Sequence, residues 1–198
     1  MIRQLLFLVA LFISYSGLCQ KFETEKGSLE NLSTIDQYKI VFEYPDNIEI
    51  HNFDSEADFL KAQVAKREKK ESGSGEEFKK LWFENRANRY EPTFIQEFNG
   101  FMLEDRHVTV SKHYQEAEYT MAVKIHYIHP GNDIVLWQQK AELEVSFEIY
   151  KSENPEHILY ASKPLPISGV AVGDEFEKIT TVYGLLGRWS AKFFCRKT

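Results

Sequence analysis

Histidine is the first residue type to weigh for metal or proton-transfer chemistry, because its ordinary pKa and free ring nitrogens suit both. The chain holds six. His126 and His129 stand three apart on one strand and its exit, so strand alternation predicts that they point to opposite sides. His107 and His113 would lie about 20 Å apart on an extended chain. No HxH, HxxxH or HExxH spacing occurs. These positions predict scattered surface histidines, with no metal and no cofactor.

Cys195 is the next nucleophile to weigh. It falls near the C-terminal end of a helix, where the dipole disfavours a thiolate, although Lys192, Arg196 and Lys197 partly offset that field. A packed thiol is the simpler reading. No GxSxG elbow is present; Ser72-Gly73-Ser74-Gly75 joins two helices and is a linker. Gly169-Val170-Ala171-Val172-Gly173 precedes a helix but lacks the GK[ST] ending of a phosphate loop. Asp174, Glu175 and Glu177 place negative charge where an anion would sit. Thirty acidic residues allow no pair of catalytic carboxylates to be nominated. No catalytic residue is assigned.

Aromatic residues offer one further possibility. Fifteen Phe, ten Tyr and three Trp provide a large core. Core packing accounts first for Trp82, Phe83, Tyr90, Phe94 and Phe98. If some of them exceed what one helix stripe can bury, they form a groove for a partner or an apolar ligand.

The elements that must position these side chains begin with an export segment. Residues 1–19 combine Arg3, the apolar run Leu5–Ile13 and a short polar exit, the three parts of a secretory signal. The run is too short to span a bilayer. Gly17 and Cys19 supply the small residues that predict cleavage before Gln20. The alternative makes Cys19 a lipid-bearing first residue. Cleavage before Gln20 leaves Cys195 as the sole cysteine, so the domain rests on its core alone. No helix of the remaining chain is expected to span a membrane.

Residues 20–36 are polar and aperiodic and read as a lead-in; residues 37–198 read as a single domain. Tyr38 to Tyr44 alternate as a first strand, ended by Pro45-Asp46-Asn47. A helix capped by Asp54 or Ser55 runs to about Lys70, with Leu60 and Val64 as its stripe. A second carries Phe78, Leu81 and Trp82; Pro92 breaks it, and Asn99-Gly100 closes the unit. Strands follow over Arg106–Lys112, Ala117–Ile128, Glu142–Tyr150 and a Pro-interrupted 157–168. Tyr119, Met121, Val123, Ile125 and Tyr127 share one face. Leu143, Val145, Phe147 and Ile149 oppose Glu142, Glu144, Ser146 and Glu148, giving one dry and one wet face. A final helix, about Asp174 to Cys195, bears Phe176, Ile179, Val182, Leu186, Trp189 and Phe193. Gly184, Gly187 and Ala191 beside that stripe predict close approach to a neighbour. The order predicts an α+β fold: a mixed, mostly antiparallel sheet with helices packed on one face.

Net charge is −6, and −7 once Arg3 is removed. The most basic run, Lys66-Arg67-Glu68-Lys69-Lys70, is interrupted by Glu68 and reads as a solvated helix end. That balance excludes a nucleic-acid partner.

Three features carry a resemblance: the signal ending in Cys19-Gln20, the Pro92–Asn99 segment ahead of Ala117–Met121, and the closing stretch Tyr183–Lys192. The chain resembles small exported proteins of unknown function from Bacteroidota-type Gram-negative bacteria. The resemblance implies a periplasmic or envelope address and transfers no catalytic residue or ligand. The expectation is a non-enzymatic secreted or periplasmic cell-envelope protein that binds a partner protein or assembly. An apolar small-ligand carrier, or a secreted hydrolase using carboxylates, is the alternative.

Overall fold

A computed structural model of the chain describes residues 22–105, 107–131, 133–134 and 137–197. Residues 1–19, expected to form a signal that includes Cys19, and Arg106 lie outside the described residues. The fold is α+β. Strands β1 (Thr24–Gly27), β2 (Gln37–Glu43), β3 (Glu49–Ile50), β4 (Thr109–Ser111), β5 (Tyr119–His129), β8 (Glu142–Lys151), β9 (Asn154–Ser162) and β10 (Leu165–Ser168) form one mixed sheet. Its order is β1-β9-β8-β5-β2-β4, with β3 also on β5 and β10 also on β8. β2 runs parallel to β4 and β5, and β3 runs parallel to β5; the other pairings in the sheet are antiparallel. A separate short hairpin joins β6 (Asp133–Ile134) and β7 (Trp137–Gln138).

Among the described residues, four α-helices accompany the sheet: α1 (Glu56–Glu68), α2 (Ser74–Asn85), α3 (Glu91–Asp105) and α4 (Glu175–Lys197). α3 and α4 pack together, with Phe98 against Phe194; Phe94 and Phe194 meet Phe147 of the sheet, and Phe194 also meets Tyr160. Leu143, Val145, Phe147 and Ile149 are fully buried, as their alternation requires. No helix of the described residues is long and apolar enough to cross a membrane.

Several expectations are corrected. Residues 22–36 are part of the domain: β1 pairs with β9, and Phe22, Leu29, Leu32 and Ile35 are buried. Leu29 and Leu32 bracket one short helical turn, while Phe22 and Ile35 lie in irregular chain on either side, so no sustained period reveals them. Pro92 does not break the helix. Arg86–Tyr90 form a π-helical turn, in which the Glu91 N–H reaches back to the Arg86 carbonyl, and α3 continues through Pro92. The widened turn moves carbonyls out of the way of the proline ring. Asn99-Gly100 is no turn either. It lies inside α3, and the Asn99 amide bonds both backbone groups of Val110, donating to the carbonyl (2.9 Å) and accepting from the N–H (2.8 Å).

The strand expected over Arg106–Lys112 is Thr109–Ser111. A bulge between Ile125 and Tyr127 shifts the phase of β5, so Ile128 is buried and Tyr127 turns out opposite Glu144. The break near Pro164 divides β9 from β10, both on β8. There the Ser162 hydroxyl accepts the buried Phe147 N–H, 2.9 Å away, in place of a ladder bond. On α4, Tyr183 and Phe194 face the core, while Trp189 remains 38% exposed. Gly187 faces α3 at close range, as the small residues imply: a Cβ there would lie 2.4 Å from the Phe94 carbonyl oxygen.

Candidate functional site

The end of β2 and two helix faces enclose an open groove of about 830 Å³. Tyr44, Pro45 and Asp46 follow β2 where the chain leaves the sheet. On α1 the spacing of Ala57, Leu60, Lys61, Val64 and Ala65 sets them along one stripe, and Glu76, Lys79 and Phe83 do the same on α2. Ser55 caps α1, accepting the Asp58 N–H. Glu68 bonds the N–H groups of Gly73 and Gly75, which fixes the turn between the two helices. Its carboxyl pKa is lowered by those two bonds.

Arg86, the first residue of the π turn, closes the head of the groove. Its guanidinium lies 4.2 Å from the Tyr44 ring centre and 5.1 Å from that of Phe83. It pairs with Glu56, which also accepts the Trp82 indole N–H at 2.7 Å. Both charged side chains are about one-sixth exposed, at 15% and 16%. A pair so enclosed is stabilised by each partner satisfying the other.

Behind Arg86 lies a tyrosine cluster. The Tyr44 and Tyr183 hydroxyls are 3.0 Å apart, and Tyr183 stacks on Tyr90 at 5.3 Å between ring centres. Burial raises all three phenol pKa values, and the mutual contacts of Tyr44 and Tyr90 with Tyr183 raise theirs further. The phenols stay neutral, and the hydrogen bond shared by Tyr44 and Tyr183 holds those two in place rather than readying them to accept a proton from a substrate. Glu91 pairs with Lys112 on the far side. With Glu56 neutralised by Arg86 and Tyr44 held neutral, the head of this groove is equipped to bind and orient.

Of the five aromatic residues weighed first as core and second as a groove, four are in the core. Trp82, Tyr90, Phe94 and Phe98 are 2%, 3%, 0% and 0% exposed, so they present no surface to a partner. Phe83, 42% exposed, lines the groove. The difference follows from two helices contributing to one core: the rings fill the space between them instead of overflowing a single stripe.

His126 and His129 do not point to opposite sides. The bulge puts His129 opposite Glu142 on the polar face, where His126 also bonds Ser146 at 2.8 Å. His129 meets His51, at the end of the neighbouring β3, with ring centres 3.8 Å apart; His51 also bonds the Tyr127 hydroxyl at 2.7 Å. Sequence spacing missed this pair because parallel strands join residues far apart in the chain. Among the described residues, no three His, Cys, Asp or Glu side chains gather around one point suited to a metal ion. Cys195 is half-buried against the core. At the start of α4, Asp174 and Glu177 cap each other's backbone N–H groups, filling the position an anion would take.

No family model matches the chain, and no curated protein matches it. Among solved structures it is similar to the PelC dodecamer from Paraburkholderia phytofirmans. The TM-score is 0.39 at 9% identity, over 85% of this chain and 97% of that one. A point variant of the same assembly gives 0.37 at 10% identity, over 84% and 91%. Scores this low carry no argument about function.

Proposed function

We propose that this chain is exported through residues 1–19 and acts in the periplasm or cell envelope as a binding protein, not an enzyme. Its recognition surface is the groove between α1 and α2, and its occupant is a segment of a partner polypeptide. One observation carries the reading: an apolar floor of Tyr44, Leu60, Val64 and Phe83 is bordered by three acids (Asp46, Glu56, Glu76) and three bases (Lys61, Lys79, Arg86). A polypeptide offers that same mixture of apolar groups and charges of either sign, and a balanced rim suits it better than a strongly charged ligand. Among the described residues, the recess lined by Leu32, Tyr38, Phe98, Met121 and Phe194 is about 10 Å³, too small for an apolar cargo.

The test is in-cell cross-linking. A photoreactive residue at position 61 or 79 should give a discrete protein adduct in the envelope fraction, and the same residue at Lys163, on the far sheet edge, should not. Recovery of the chain in cytosol with Met1 retained, or identical adducts from all three positions, would refute the reading.

A further inference from the structure

The opposite side of α1 carries a second, differently charged pocket. Gln63, Lys66 and Arg67 fall at helical spacings of three and four residues, so one face of α1 presents them, and Lys70 follows in the turn just past the helix end. With Phe59, Phe78, Glu175 and the Pro130-Gly131 turn they line a recess of about 250 Å³. The basic run that reads as a solvated helix end in the sequence is thus divided by the fold. Glu68, which interrupts it, is drawn away by the N–H groups of Gly73 and Gly75. The Arg67 guanidinium carbon sits over the Phe78 ring, 3.8 Å from its centre, and Gln63 and Glu175 fix its two terminal nitrogens. Three cations line the recess against one carboxylate, a surplus of two positive charges in a chain of net charge −6.

We infer that this recess binds a small free anion of the phosphate or carboxylate class. Lys66 and Lys70 supply the uncompensated charge. Arg67, already immobilised, orients its remaining N–H donors at no further entropic cost. Lysines are suited to an anion as point charges, and the preset guanidinium adds direction. The volume suits a compact anion and leaves no room for a folded partner.

Inorganic pyrophosphate and citrate, titrated separately at constant ionic strength and followed by amide NMR, test this. The expected result is saturable shifts confined to residues 63–70 and Gly131. Both Lys66 and Lys70 are exposed, so Lys66→Glu with Lys70→Glu should leave the fold intact and weaken binding by about tenfold or more. The same charge reversal at Lys61 and Lys79, in the groove on the other side of α1, should leave binding unchanged, which separates this site from the proposed partner surface. Shifts that do not saturate, or that survive the Lys66/Lys70 reversal, overturn the inference. So does sedimentation with anionic phospholipid vesicles in the absence of pyrophosphate binding, which would mark a lipid-facing patch.

Discussion

The imidazole of His129 lies against that of His51, tilted by 33° with ring centres 3.8 Å apart, and its Nδ1 accepts the Gly131 N–H at 2.8 Å. An accepting Nδ1 carries no proton, so the ring is neutral with its hydrogen on Nε2. Protonation would remove the acceptor that holds the turn at Gly131, whose φ is +78°.

Stability should therefore fall on mild acidification. Burial, and then His51, hold the His129 pKa below its ordinary value, against the opposing pull of Glu142. A lowered folded-state pKa means that the unfolded chain binds the proton first as pH drops. The contribution is complete above about pH 6.5, the unfolded value, and is lost below it. Denaturation midpoints between about pH 7.5 and 5.5 should show this. His129→Asn, which keeps an acceptor for Gly131, should flatten the slope. Parallel slopes in the two proteins would clear His129 of the effect.

The same substitution should have opposite signs at two helical glycines. A methyl on Gly187 would meet the Phe94 carbonyl, which belongs to a packed helix backbone and cannot step aside. Gly187→Ala should cost about 1–3 kcal/mol in spite of the helix preference for alanine. At Gly100 a Cβ meets nothing within 4 Å. Gly100→Ala should stabilise by about 0.5–1 kcal/mol. Urea denaturation of both variants decides; a stabilised Gly187→Ala protein would show that α3 and α4 do not depend on that contact.

Tyr90 and Tyr44 should also part company. The Tyr90 hydroxyl is buried with no hydrogen-bond partner among the described residues. The Tyr44 hydroxyl shares a bond with that of Tyr183. Removing an unsatisfied group relieves its desolvation, so Tyr90→Phe should be neutral or stabilising by up to about 1 kcal/mol. Tyr44→Phe strands the Tyr183 hydroxyl and should destabilise by about 1–2 kcal/mol. Thermal melts of the two variants shifting in the same direction would contradict the assignment.

At the head of the groove, Glu56→Ala leaves both Arg86 and the Trp82 indole N–H without their carboxylate. The expected loss is about 2–4 kcal/mol. Arg86→Ala should cost a similar amount, and the double variant less than the sum, because one interaction is removed twice. Arg86→Lys should not restore stability, since an ammonium cannot lie flat between Tyr44 and Phe83. Tryptophan-monitored unfolding measures all four; strict additivity would mean that the pair is not coupled.

Much of this architecture was legible in the order of residues. The alternation of Glu142–Tyr150 marks a two-faced strand, Ser55 marks a helix start, and Gly187 marks a close approach, because each depends on neighbours along the chain. The α+β class follows from the succession of such segments. Less of the binding surface could be read. Of the five aromatic residues singled out, only Phe83 reaches the groove, since burial of a ring depends on which second helix covers it.

Local pattern therefore determined the types of element and their apolar faces. The tertiary structure alone decided that Asn99 would serve Val110 rather than a turn, that Pro92 would follow a π turn inside a continuous helix, and that His51 would find His129. It also turned Glu68 away from its basic neighbours and left Lys66 and Lys70 facing a recess. Each of these outcomes depends on residues that meet only after the chain has folded back on itself, and no periodicity encodes such distant contacts.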